Sequence, residues 1–230
     1  MPDGSAPSVL AQALAVFRKD LDAELRSRTA VTAVLLFSVT SLAVVGFAKG
    51  AVAIPEPVQA ALLWVVLFFA AFAGLANVWL HEEDRGTSAI LRMHAAPEAI
   101  YTGKLLLNLL LLAAVALVVT PLYLAMMDVS VGRPGALALV VGTAGFGLAA
   151  GATVVGAMIA RASARSSLYG AVGFPVLLPL LMMAAHATAL ALRPAAPASD
   201  IWGALTGIAA FGVAIVAASW IVFAYIWEDA

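Results

Sequence analysis

Cysteine is missing from all 230 residues, which removes disulfides, thiolate metal sites, CxxC redox chemistry and covalent c-type haem attachment from this chain. Charge is scarce as well. Asp, Glu, Lys and Arg make up 11% of the sequence, where a soluble domain carries about 25%. Hydrophobic residues reach 64% against roughly 45–50% in a soluble domain, so a water-facing surface cannot be assembled from this inventory. The net charge of −1 gives no global field that would draw nucleic acid or an acidic ligand.

What the chain has instead is long apolar sequence. Six stretches reach the ~20 residues needed to cross a bilayer: Thr29 to Ala48, Val58 to Leu80, Leu105 to Met127, Ala136 to Ala160, Leu168 to Leu192 and Ile201 to Trp227. All 25 charged residues fall outside them. A charge at a span centre costs about 2.5–3.5 kcal/mol on the insertion scale, so this exclusion marks real spans. Helices are expected because lipid cannot satisfy free backbone groups, and the short alternating segments of a barrel are absent from the sequence. The expected fold is therefore all-α and integral to the membrane, with residues 1–28 as an amino-terminal segment and 29–230 as a six-span domain.

Orientation follows from the cations. Arg18, Lys19, Arg26, Arg28, Arg85, Arg92, Lys104, Arg161 and Arg165 lie on one side, and only Lys49, Arg133 and Arg193 on the other. The positive-inside bias puts both termini in the cytoplasm. Trp79, Tyr101, Tyr169, Tyr225 and Trp227 near the inner boundary, with Trp64, Tyr123 and Trp202 near the outer one, read as interfacial anchors. Ala51-Val52-Ala53 resembles a signal cleavage site, but the preceding apolar run exceeds the usual 7–15 residues of about one signal core, so a retained first span is expected.

Ahead of that span, Leu10, Leu14, Phe17, Leu21 and Leu25 form one helical stripe, while Arg18, Lys19, Asp22, Glu24, Arg26 and Arg28 fall elsewhere around the helix. This predicts an amphipathic helix on the membrane face. It serves either as a topological anchor or as a grip for a partner subunit. Within the bundle, Gly147 and Gly151 form one GxxxG and Gly203 and Gly207 another, allowing close helix approach within or between chains. Pro175 and Pro179 predict a kinked or broken fifth span, and Pro121 also removes a helical donor.

Three histidines invite a haem or metal reading, but none forms an HxxxH pair, and His186 has no carboxylate beside it in sequence. An internal hydrogen bond is expected for His186, and interhelical bonds for Asn77 and Asn108. No Ser-His-Asp set, intramembrane carboxylate pair or metal cluster is visible in the sequence, so neither catalytic nor metal-ligating residues are expected.

The segment His81 to Lys104, HEEDRGTSAILRMHAAPEAIYTGK, is the one large inner loop. It opens on Glu82, Glu83 and Asp84, continues through Arg85, Gly86 and Thr87, and then offers Ile90, Leu91 and Met93 before Pro97. Thr87 or Ser88 can cap a short helix there, and Pro97 ends or redirects it. Such a helix suits transmission of a push from a soluble partner, although a solvated connector has the same look. Gly103-Lys104 is not a P-loop, because positions 98 and 105 are Glu and Leu.

The pattern Glu83, Gly86-Thr87, Leu91, Pro97 and Gly103-Lys104 resembles the loop by which type-2 ABC exporter permeases dock onto their nucleotide-binding subunit. Over nearly its full length the chain resembles the haem exporter protein B family, the permease subunit of the cytochrome c maturation system. The resemblance rests on FRKDLDAELRSR leading into LLFSVTSLAVVGFA, on LLWVVLFFAAFAGL, GTAGFGLAAGATVVGAMIAR and FPVLLPLLMMAAHATAL, and on the closing FAYIWEDA. The loop departs from the family's usual pattern at Ser88-Ala89 and at Met93-His94-Ala95-Ala96.

This resemblance implies a multi-pass permease in the bacterial cytoplasmic (inner) membrane, acting as a pair with two copies of an ABC ATPase. It also implies a Trp-rich haem-handling membrane subunit, a small single-span subunit and a periplasmic haem chaperone as partners. ATP would be bound only by the ATPase, haem would be handled through the complex, and this chain would be non-catalytic. The alternatives are a type-2 ABC permease for another lipid, drug or glycan, and an ion-coupled secondary transporter. The latter would call for midplane ionisable residues or an inverted repeat.

Overall fold

The computed structural model describes residues 8–84, 95–160 and 168–228, with side chains described in all of these except 29–30, 73–84, 159–160, 168–174 and 224–228. Among the described residues every regular element is a helix: α1 (Val9–Ser27), α2 (Thr29–Lys49), α3 (Glu56–Asp84), α4 (Pro97–Met126), α5 (Pro134–Ala160), α6 (Leu168–Leu192) and α7 (Ala198–Glu228). Five of them, α2, α4, α5, α6 and α7, are long and apolar enough to cross a membrane over their described residues. The second predicted span lies in α3, whose stretch Glu56–Phe72 is apolar. The protein is an all-helical, multi-pass membrane protein.

Both ends of the predicted loop 81–104 are helical: α3 runs on through Asp84, and α4 begins at Pro97. Proline suits the first turn of a helix because that N–H has no intrahelical acceptor. Pro97 therefore starts α4, and the short helix expected before it lies outside the described residues. Pro175 and Pro179 do not break α6, which is continuous from Leu168 to Leu192. Proline is tolerated within transmembrane helices when surrounding groups re-satisfy the freed carbonyls.

The core is centred on α5, which packs against α3, α4, α6 and α7. Small residues make this possible. Ala144, Ala149, Ala150 and Ala152 are fully buried. A side-chain carbon added at Gly147 would lie 3.0 Å from Leu180 of α6 and 3.4 Å from the Gly212 backbone of α7. Gly151 sits directly on Leu177. With lipid as solvent, such close contact supplies the packing energy that burial supplies in water. The second glycine pair does not pack this way among the described residues: none of them lies within 4 Å of a carbon added at Gly203, and of them only Met183, at 3.8 Å, approaches Gly207.

Two aromatics predicted as outer anchors are interior. Trp64 is 2% exposed and donates from Nε1 to Thr188 Oγ1 at 2.9 Å, joining α3 to α6. Tyr123 is buried, and its hydroxyl donates to the Gln59 carbonyl at 2.7 Å. Each polar tip has a partner inside, so the ring need not seek the interface. Trp202 is exposed. Asn108 is buried and donates to Thr153 Oγ1 at 2.7 Å, tying α4 to α5.

The end of the bundle away from the 81–104 segment is closed by backbone pairing. The Gly132 and Arg133 amides donate to the Leu192 and Ala191 carbonyls at 3.0 and 2.9 Å, and Gly132 is needed because an added carbon would lie 2.6 Å from the Arg193 carbonyl carbon. Two of the three cations on this side bind carbonyls: Lys49 Nζ donates to Met127 O at 2.7 Å, and Arg133 to Ala196 O at 2.6 Å.

Candidate functional site at the junction of α1 and α4

Helix α1 opens on Ser8, whose hydroxyl accepts from the Ala11 amide at 3.3 Å, a standard N-cap. It ends at Arg28, held in the left-handed region at φ 52°, and the chain turns at once into α2. The Glu24 carboxylate accepts from the Val31 amide at 3.1 Å, placing negative charge where the first amides of α2 point.

Between these ends α1 lies along the first turns of α4, its principal neighbour. The face that docks is not the leucine stripe as a whole. Ala13, Val16 and Asp20 are the buried residues of α1, and Phe17 and Leu21 pack on the core from the edge. Leu10, Leu14 and Leu25 are exposed, at 75, 42 and 62%, on a surface that lipid can cover. Arg18, Lys19, Arg26 and Arg28 are exposed as well.

The contact is close because α4 presents glycine to it. A carbon added to Gly103 would sit 2.7 Å from the Ala13 carbonyl oxygen and 2.8 Å from Val16 Cβ, so a side chain there is incompatible with the docked helix. Lys104 follows. It is fully buried, and its ammonium lies 3.1 Å from Asp20 Oδ2. Lys19 approaches the other carboxylate oxygen at 3.1 Å from the exposed side. Further along, Gln12 Oε1 accepts from the Ala96 amide at 2.9 Å. Ala96 is the N-cap of α4 and has no side-chain cap of its own, so α1 supplies one. Tyr101 is also fully buried rather than interfacial, packed on Phe223 of α7 with ring centroids 5.6 Å apart.

The residues predicted for the coupling segment divide into three groups. Pro97 and Lys104 belong to this junction, with Lys104 buried under α1. Glu82, Glu83 and Asp84 form the last turn of α3 as backbone, with side chains outside the described residues. Arg85, Gly86, Thr87 and Leu91 lie outside the described residues altogether, as does the short helix expected there. Residues missed in the sequence are Gln12, Ala13, Val16 and Asp20, and Gly103, named there as part of the docking pattern, was not expected to contact α1. The available signal was Asp20, an acidic residue immediately preceding Leu21 of the stripe, and the small pair Ala13 and Val16 facing a glycine.

Among the described residues His186 has no partner for the internal hydrogen bond expected of it. It is exposed on α6, on the same outward face as Met182, which is 65% exposed. Among the described residues no cluster of three or more His, Asp or Glu could hold a metal ion. What the α1–α4 junction can do is mechanical. Charge pairing, a backbone cap and glycine contact fix the helix that follows the 85–96 connection to the helix that precedes the first span.

Comparison with curated proteins found no match. The family model of the CcmB protein matches residues 11–226, a stretch that takes in the docking face of α1, the α3–α4 connection and every later helix. This chain belongs to the CcmB protein family, the haem exporter protein B family of cytochrome c maturation.

Proposed function

We propose that this chain is the membrane permease subunit of an ATP-driven ABC-type complex in c-type cytochrome biogenesis. It crosses the bacterial inner membrane six times with both termini in the cytoplasm and works beside a second copy of itself. An ABC ATPase docks on the segment between α3 and α4. Hydrolysis there is coupled to haem export or to release of a haem-loaded periplasmic chaperone, with haem as cargo rather than a resident group. A Trp-rich membrane subunit and a small single-span subunit complete the assembly, and this chain performs no chemistry of its own.

One observation carries the reading: the downstream end of the proposed docking segment is locked to α1 through the buried Asp20–Lys104 pair. A buried ion pair is costly to break from one side, so it holds α1 and α4 together, and a simple solvated connector would have no use for one. A push on the segment would move α1 and α4 together, and through Arg28 and α2 would reach the first span.

The test is gentle detergent purification with mass identification of every associated subunit and of any bound porphyrin. The proposal expects an ATPase together with a Trp-rich haem-binding protein. An ATPase alone would point to an exporter of another substrate, and flux driven by protons or sodium without any ATPase would overturn the reading.

A further inference from the structure

Away from the α1–α4 junction, a cleft of about 470 Å³ separates α4 from α5. It is kept open by small residues facing one another, Ala113 and Ala116 on α4 with Ala138 and Gly142 on α5. Nothing lies within 4 Å of a carbon added at Gly142. The rim is outward-facing, since Leu117 on it is 77% exposed, so in a membrane the cleft opens to lipid.

Inside this apolar cleft lies one orphan polar group. Thr120 lines it and is 9% exposed, and its hydroxyl has no hydrogen-bond partner among the described residues. Tyr101 Oη and Asn108 Oδ1 are likewise unpartnered among the described residues, but neither lines the cleft. The hydroxyls of Ser38, Thr40, Thr102, Thr143 and Thr153 all return to the carbonyl four residues back on their own helix, at 2.6–2.7 Å. Thr120 is buried like Ser38 and Thr153 but lacks their bond, and a buried unmade hydrogen bond is destabilising unless a partner arrives.

Depth identifies the partner. The 30 residues of α4 make a rod of about 45 Å, which matches a bilayer of about 40–45 Å including headgroups, with a hydrocarbon core of about 30 Å. The whole of α4, Pro97–Met126, is apolar enough to lie in the membrane, and with it centred in the bilayer Thr120, eight to nine residues past its middle, is about 13 Å from the midplane. That is the edge of the hydrocarbon, where the ester carbonyls of a phospholipid begin. From Thr120 the cleft runs back to Leu109, about 16 Å along the helix, the depth of one leaflet's hydrocarbon at about 15 Å.

We infer that the α4–α5 cleft is a binding site for one ester-linked phospholipid, in the leaflet opposite the 81–104 segment. Its acyl chain fills the cleft, and the Thr120 hydroxyl donates to its ester carbonyl. The cleft is lined by no cation, histidine or methionine, so it offers nothing to propionates or to an iron, and haem is not the occupant. The inference rests on the cleft facing lipid, and does not depend on which ATPase or haem-handling subunit docks at the α3–α4 segment.

The full chain, exchanged through detergent, is titrated with phosphatidylglycerol and followed by native mass spectrometry, using the diacyl ester and the dialkyl ether of equal chain length. One ester lipid per chain is expected to bind with higher affinity than the rest. Losing one neutral hydrogen bond makes the ether lipid about fivefold weaker, and Thr120→Val makes the ester lipid weaker to the same extent while abolishing the ester–ether difference. Gly142→Leu fills the cleft without a backbone clash and removes the site. Equal retention of both lipids by wild-type protein overturns the proposal, as does undiminished binding by Gly142→Leu. If Gly142→Leu instead dissociates an oligomer while leaving the lipid count unchanged, the cleft holds a helix of a second copy and the proposal also fails.

Discussion

The Asp20–Lys104 pair yields the most direct test of the junction. Asp20→Asn leaves the fully buried Lys104 ammonium without its carboxylate, 84 residues away in sequence. Breaking a buried pair from one side costs about 3–5 kcal/mol, because the remaining charge is desolvated and uncompensated. Lys19, which also reaches Asp20, is 46% exposed and keeps its solvent, so its lost contact adds little. The cost falls locally, on the docking of α1 against α4. Amide hydrogen exchange along α1 reads it directly. Protection of the residues around Val16 should fall by about two to four orders of magnitude, up to the point where α1 is undocked altogether, while exchange in the α5 core stays unchanged. Lys104→Met should lower protection less, because Asp20 keeps Lys19 at 3.1 Å on its exposed side. The double variant Asp20→Leu/Lys104→Met removes both charges and should recover most of the protection, since apolar replacement of a whole buried pair is near neutral. Single variants that exchange like wild type would mean the pair is solvated in the membrane, and the mechanical role assigned to it would be lost.

Three further outcomes follow from other contacts. Gly103→Val should undock α1 without preventing insertion, because its side chain must occupy space held by the Ala13 carbonyl and Val16; proteolytic release of the amino-terminal helix from intact protein checks this, and a protected α1 would contradict it. Trp64→Phe leaves the Thr188 hydroxyl unpaired, a cost of about 1–3 kcal/mol, visible as a lower thermal midpoint in detergent that Thr188→Val in the same chain should largely restore. Gly86→Pro and Glu83→Lys should reduce capture of the partner ATPase with membrane insertion intact, and unchanged capture by both would refute a docking role for the α3–α4 segment.

Hydropathy was enough to place the helices, because charge exclusion from the bilayer acts on composition and needs no knowledge of contacts. It could not say which way each helix faces. A span such as α5 is apolar around its whole circumference, so the residues that meet neighbours are distinguished by size rather than polarity, as Gly147 against Leu180 and Gly212 illustrates. The same blindness explains α1. Its leucine stripe is the strongest pattern in the segment, yet the docked face is set by Ala13 and Val16, whose small side chains let α1 reach Gly103. Position near the outer boundary of the spans marks Trp64 and Tyr123 as interfacial anchors, but their polar tips find partners inside the bundle, Thr188 and the Gln59 carbonyl.

Lys104 is the sharpest case. Counted by side, it supports the inward orientation like any other cation, and in sequence nothing separates it from a solvated lysine at a span boundary. Its burial depends on Asp20 arriving from a different helix, which in turn depends on Gly103 permitting the approach. Three residue types are thus linked by one contact: a glycine that admits the helix, an acid that the helix carries, and a base that would otherwise have to reach water. The linkage makes a directional claim. If docking by α1 is what allows Lys104 to be buried, then Gly103→Val should return Lys104 to solvent, and its amine should become accessible to a water-soluble acylating reagent. An unreactive Lys104 in that variant would show the lysine buried by the rest of the bundle, with α1 merely resting on a charge already hidden.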